Sequence, residues 1–251
     1  MQPAQLLHAY NEIVHMNQVA GNHPEPGNKD VFNLSVDLIR EEIREARAEC
    51  VARDSNKLAQ EIGDVFVVFY GMMYRCGFKF SVTAESAAEA IRAAVAENFS
   101  YDNVIAALDS MEELIEEVAT RGAGAIVSTV VIEALLTAFH SYLQAVAENL
   151  PWDVSADLTE IYRCNLTKFD TSMDDFEKTA QKYREIGVDV LLRESEVDGV
   201  TYYVAISSYD QSGTDDKFYK SGKFLKSVKT EKPKFTNRPL IAGVAEIAQE
   251  G

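Results

Sequence analysis

Leu38-Ile-Arg-Glu-Glu-Ile-Arg-Glu-Ala46 is followed, sixteen residues after its last acid, by Glu61-Ile-Gly-Asp-Val-Phe-Val-Val-Phe-Tyr70. These two stretches decide the fold. Within each, a pair of acids is spaced i,i+3: Glu42 with Glu45, and Glu61 with Asp64. On a helix that spacing puts both members on one face. Between the stretches lies a turn signal, Ala52-Arg-Asp-Ser55. If the flanking segments are antiparallel helices, both pairs sit roughly 10–18 Å from the turn at 1.5 Å per residue, at matching heights. Four carboxylates converging there repel each other unless a cation neutralises them. Oxygen-only ligation suits Mg²⁺, with Mn²⁺ as the alternative.

The second stretch sharpens this expectation. Ile62, Val65, Phe66, Val67, Val68 and Phe69 make it an apolar helix that belongs in a core. An unpaired carboxylate buried there costs several kcal/mol, so Asp64 needs a partner. The bland reading of the first stretch is a solvated charged face, in which Glu41, Glu42 and Glu45 pair with Arg40, Arg44 and Arg47.

Working outward, residues 3–18 read as a helix with Leu6, Leu7, Tyr10, Ile13 and Val14 on one stripe. Gly21–Gly27 is a loop, and long helices are predicted over about 29–53 and 55–76, with Gly77 as a stop. Further helices are expected over 83–97, 102–121 and 124–149, with another opened by Pro151 and a last one capped by Asp170 or Thr171 and running to 185. The pattern then changes. Val188 to Ser208 alternates, is rich in β-branched and aromatic residues, and carries Asp198-Gly199 at its centre, a hairpin signal. Lys223–Val228 is a candidate third strand, and 240–248 a short helix. The fold class expected is therefore mainly α with a small C-terminal β appendage. The domains expected are a helical bundle over 1–185, with halves 1–98 and 99–185, and a β-rich extension over 186–251.

The halves echo each other. Met111-Glu-Glu-Leu-Ile-Glu116 repeats the acid spacing, and Glu133-Ala-Leu-Leu136 stands where the second pair would, with Leu136 in place of the aspartate. Two readings are open. One is a duplicated, pseudo-dimeric bundle with one live acid site. The other is that any two amphipathic hairpins look alike.

Composition narrows the function. Forty acids against 24 bases give a formal net charge of −16, which argues against nucleic acid or an anionic membrane as partner. A phosphorylated small molecule stays open, since a metal supplies positive charge locally. Cys50, Cys76 and Cys164 are far apart, with no CxxC, a usage that fits reduced thiols in a cytoplasm. There is no secretory apolar region at the N terminus.

The acid pattern on two helices resembles the all-α nucleoside triphosphate pyrophosphohydrolases: MazG-type enzymes, dimeric dUTPases, dCTP pyrophosphatases and phosphoribosyl-ATP pyrophosphohydrolases. The match is densest over 29–76. A second patch, Ile161-Tyr-Arg-Cys-Asn-Leu-Thr-Lys-Phe169, is similar to the N-x-x-K-F segment of phage and bacterial members, and the β tail looks like a phage-type extension. The resemblance implies that Glu42, Glu45, Glu61 and Asp64 hold Mg²⁺. Glu41 or Glu45 would act as base. Asn165 and Lys168 would contact the triphosphate, and Lys223, in a basic run from Lys217 to Lys229, would reach a phosphate. The reaction implied is hydrolysis of a (deoxy)nucleoside triphosphate to the monophosphate and pyrophosphate, in the cytoplasm of a cell or of a phage's host, with a homodimer as one assembly option.

Two rivals stand beside it. A di-iron carboxylate bundle needs two E-x-x-H pairs, and the chain has one, Glu12-Ile-Val-His15. A non-catalytic helical interaction module, or pseudoenzyme, needs no metal turnover at all.

Overall fold

A computed structural model describes residues 1–79, 99–122 and 129–235. Seven helices are present among them: α1 Pro3–Val19, α2 Lys29–Ala52, α3 Ser55–Cys76, α4 Tyr101–Gly122, α5 Thr129–Asn149, α6 Val154–Leu166 and α7 Met173–Glu185. Strands β1 Val190–Val197 and β2 Val200–Ser207 form a hairpin, and β3 Gln211–Ser212 pairs with β4 Phe218–Tyr219. The protein is thus mainly helical with a small hairpin sheet toward the C terminus. The helix expected over 83–97 and that over 240–248 lie outside the described residues.

The α2–α3 turn is built from two residues. Arg53 adopts the left-handed conformation (φ 55°) and its N–H closes the last turn of α2 on Cys50 and Glu49. Asp54 then accepts from the Asn56 and Lys57 N–H groups and starts α3. Gly77, at φ 71°, ends α3 as an αL cap. Two sequence expectations shift here. Helix α6 starts at Val154, because Asp153 takes up the N–H groups of Ser155 and Ala156, so Pro151 and Trp152 stay outside it. Helix α7 is capped by Ser172, whose hydroxyl accepts from Asp175 N–H, and neither Asp170 nor Thr171 takes that role.

The chain divides into two compact units. The first holds Met1–Tyr10 and Pro24–Leu158. In it, α2 pairs with α3 and α4 with α5 as antiparallel hairpins, and α2 also packs on α4. Arg40 meets Glu116 while Arg47 meets Asp109 and Glu112, so α2 and α4 run antiparallel. The bundle closes where Phe69 stacks on Phe139 at 4.9 Å and the Tyr70 hydroxyl lies 3.0 Å from His140 Nε2. Its core includes Ile39, Ile43, Leu58, Ile62, Phe66, Leu108, Met111, Leu136 and Leu143, all fully buried. Thr129–Asn149 is long and apolar enough to cross a membrane, and here just over half of its most apolar window (56%) is buried within the protein. Trp152 is buried against Phe99, a packing role.

The second unit holds Asn11–His23 and Thr159–Pro233. The β1–β2 hairpin turns at Asp198-Gly199, both at positive φ, the geometry of a two-residue primed turn. Segment 222–225 runs antiparallel along β2, bonded from Ser207 N–H to Lys223 O and from Leu225 N–H to Ala205 O. It forms an isolated bridge, Ile206 to Phe224, and not the regular third strand expected over 223–228. Two apolar clusters hold this unit: Phe176, Tyr183, Ala205 and Leu225 around α7, and Val19, Phe169, Tyr202 and Val204 along β2.

Candidate metal centre

Helix α2 presents three faces. Ile39, Ile43, Ala46 and Cys50 are buried in the core. Arg40 and Arg47, seven residues apart, reach α4. Glu42 and Glu45 are left for α3, and one ligand oxygen from each, with one from Glu61, lies within 4.8 Å of the others. Two oxygens on opposite sides of a small hard cation stand about 4.2 Å apart at a bond length of ~2.1 Å. Three oxygens within 4.8 Å of one another are thus on the length scale of a single coordination shell.

The electrostatics show a cluster that lacks positive charge. Burial, followed by Asp64, Glu45, Glu61 and Glu41, pushes the Glu42 carboxyl up to about 8. Burial again comes first for Glu61, then Asp64 and Glu45; with a proton shared toward Glu45 its carboxyl is pushed up to about 7. Both side chains are half-buried, as is Asp64, while Glu41 and Glu45 are exposed. Asp64 thus acts on both raised acids and belongs to the same charge cluster, although it is not one of the three oxygens that meet. The donors are all carboxylate oxygens, a set that fits Mg²⁺, Mn²⁺ or Ca²⁺ better than a soft metal.

The bland reading of this helix fails on partner choice. Arg40 donates to Glu116 through Nε and a terminal nitrogen, both at 2.6 Å, and to Asp37 at 3.0 Å. Arg47 donates to Asp109 at 2.5 Å and Glu112 at 2.6 Å. Arg40 and Arg47 are thus engaged with α4, while Arg44 Nε donates to the Arg40 carbonyl at 3.1 Å. The same bonds dispose of the echo motif: Glu112 and Glu116 are matched by arginines, Glu113 is exposed, and Glu133 accepts from the Lys79 backbone N–H at 3.4 Å. Sequence spacing alone could not tell the two motifs apart, because it does not show which acids have cationic neighbours across the bundle.

The remaining candidates lie in the second unit. Asn165 is buried in the last turn of α6, and its carbonyl accepts from Lys168 N–H at 3.1 Å. The Lys168 carbonyl accepts from Ser227 N–H at 3.0 Å, which ties this segment to the tail. Lys223 is exposed, at a turn closed by its own N–H on Lys220 O. Within the basic run, Lys217 pairs with Asp215 and Lys229 with Asp175. His15 of the lone E-x-x-H faces the Tyr162 hydroxyl at 2.9 Å and Asp198 at 3.6 Å. Among the described residues, the group able to hold a metal contains no histidine, so nothing here supports a di-iron centre. No family model, curated protein or solved structure matches the chain.

Proposed function

We propose that the protein is a Mg²⁺-dependent hydrolase of nucleoside or deoxynucleoside triphosphates, releasing the monophosphate and pyrophosphate, as the likeness to the all-α pyrophosphohydrolases implies. The observation that carries this reading is the meeting of Glu42, Glu45 and Glu61 on two adjacent helices with Asp64 adding to their charge, while every neighbouring arginine on α2 is turned elsewhere or onto its own backbone. A divalent cation held there would supply the positive charge that a phosphoanhydride needs as it breaks.

The chain's own groups divide the rest of the work. Glu42, Glu45, Glu61 and Asp64 hold the charge in place on two helices joined by a two-residue turn, so their spacing is rigid. Glu41 or Glu45, both exposed, accepts the proton of the attacking water.

The test is pyrophosphate release with Mg²⁺ or Mn²⁺ across the eight standard NTPs and dNTPs, with dUTP and the Asp64→Asn protein alongside. Selective release that the substitution abolishes supports the reading. Release unchanged in Asp64→Asn removes the site assignment, and silence on every nucleotide with every metal favours a non-catalytic helical module.

A further inference from the structure

The first unit contains a concave feature at the end of the bundle where α2 and α5 begin and α3 and α4 end. It is a cavity of about 280 Å³. Phe32 lies ten residues before Glu42 on α2, so this cavity is about 15 Å along the helix from the acid cluster. The volume sits just below the range of ordinary small-molecule sites, enough for one ring system with a short arm.

Phe32, Phe78 and Ile132 supply apolar walls. The two phenylalanine rings meet edge to face, with centroids 6.5 Å apart and planes at 70°. Backbone geometry holds them there. A Cβ on Gly122 would come within 2.2 Å of the Phe32 ring, so that ring rests directly on the end of α4. Gly77, in its left-handed conformation, turns the chain so that Phe78 N–H bonds back to Met73 O at 2.9 Å, and a Cβ there would strike Pro26 at 2.8 Å. The aromatic walls are therefore held by close backbone contacts.

The charge of the lining is opposite to that of the protein. Among the described residues that line the cavity none is Asp or Glu, on a chain of net charge −16. The one ionic side chain is Lys29, exposed and without an ion pair among the described residues. Glu25 and Glu133 are nearby in sequence but accept from the Asn28 amide and from Lys79 N–H.

We propose that this cavity is a ligand site, distinct from the acid cluster, for a planar aromatic ring bearing one anionic group. The ring packs on Phe32 and Phe78, where offset and edge-to-face contacts favour a flat π system. The acid is met by the Lys29 ammonium. An aromatic carboxylate and a nucleoside monophosphate share this chemistry.

The experiment uses the full chain in EDTA, so that the acid cluster and any metal-dependent chemistry play no part. Saturation-transfer NMR is run with benzoate, AMP and UMP, and with benzyl alcohol as the neutral ring. Saturable binding of benzoate or of a monophosphate, with benzyl alcohol at least tenfold weaker, is the expected result, and which acid binds names the source. Lys29→Glu is expected to weaken that binding at least tenfold, and Thr129→Trp, which fills the cavity from an exposed position, to abolish it. Glu42→Gln is expected to leave it unchanged. The proposal is overturned if no acid binds, if benzyl alcohol binds as well as the acids, or if binding survives Lys29→Glu or Thr129→Trp.

Discussion

Burial and neighbouring acids raise the carboxyls of Glu42 and Glu61, both in the same direction. With carboxyls pushed up to about 8 and about 7, the folded protein holds protons that the unfolded chain releases near 4.5. The native state then binds more protons, so stability in EDTA falls as pH rises from about 4.5 to about 8. A bound cation reverses this by favouring the ionised forms. Thermal melts are expected to show a larger gain from Mg²⁺ or Mn²⁺ at pH 8 than at pH 6, and a gain independent of pH would mean the acids are not the ligands. Glu42→Gln and Glu61→Gln are expected to raise the melting temperature in EDTA at pH 8, since each removes a repelling charge, and to abolish both the metal gain and pyrophosphate release. His140 moves the other way. Burial lowers its pKa to about 4, and it sits stacked on Phe69 against the Tyr70 hydroxyl. Here the unfolded chain binds the extra proton, so stability rises with pH between about 4 and 6.5, by roughly 3 kcal/mol in total. His140→Gln, measured in the Glu42→Gln/Glu61→Gln background to silence the opposing acids, is expected to flatten that rise.

At the scale of the element, the α2–α3 hairpin is what makes four acids into one cluster. Its turn has little slack. Arg53 is a non-glycine residue at positive φ, and Asp54 caps α3 with two backbone bonds. Arg53→Gly relieves the left-handed strain and is expected to leave stability level or raise it by up to about 1 kcal/mol. Asp54→Ala is expected to cost about 1 kcal/mol. Urea unfolding of the two variants checks both signs, and an equal effect would mean the turn is not the element that sets the hairpin. On the opposite face of α2, Arg40 and Arg47 hold α4. The pairs are partly exposed, so each is worth less than about 1 kcal/mol. Their larger effect is on which acids remain without a cation. Exchanging Arg40→Glu with Glu116→Arg is expected to restore the stability that either change alone removes, in a double-mutant cycle.

For the whole molecule, the second helical hairpin supports the first and does not repeat its site. Leu136 is fully buried where the second pair would need its aspartate, and Glu112 and Glu116 spend their charge on arginines of α2. Glu133→Gln is therefore expected to leave pyrophosphate release within about twofold of the parent, whereas Glu42→Gln or Glu61→Gln is expected to abolish it. A large loss in Glu133→Gln would place a working site in the second half.

The sequence by itself determined the helices, their turn and the pairing of acids on each. Those features are local: the 3.6-residue period, the Arg53-Asp54 break, Gly77 and Asp198-Gly199 act within a few residues of the bonds they make. It misplaced the starts of α6 and α7, where several adjacent polar residues compete to cap and only the packed backbone selects Asp153 and Ser172. Only the tertiary structure decided which acids the arginines of α2 engage. Arg40 and Arg47 read equally well as neighbours of Glu41, Glu42 and Glu45 until α4 packs on α2, because a salt bridge depends on distance across helices and not along the chain. The cavity lined by Phe32 and Phe78 was equally invisible, since it joins the start of α2, the end of α3 and the α4–α5 junction, three places distant in sequence, which meet only on folding.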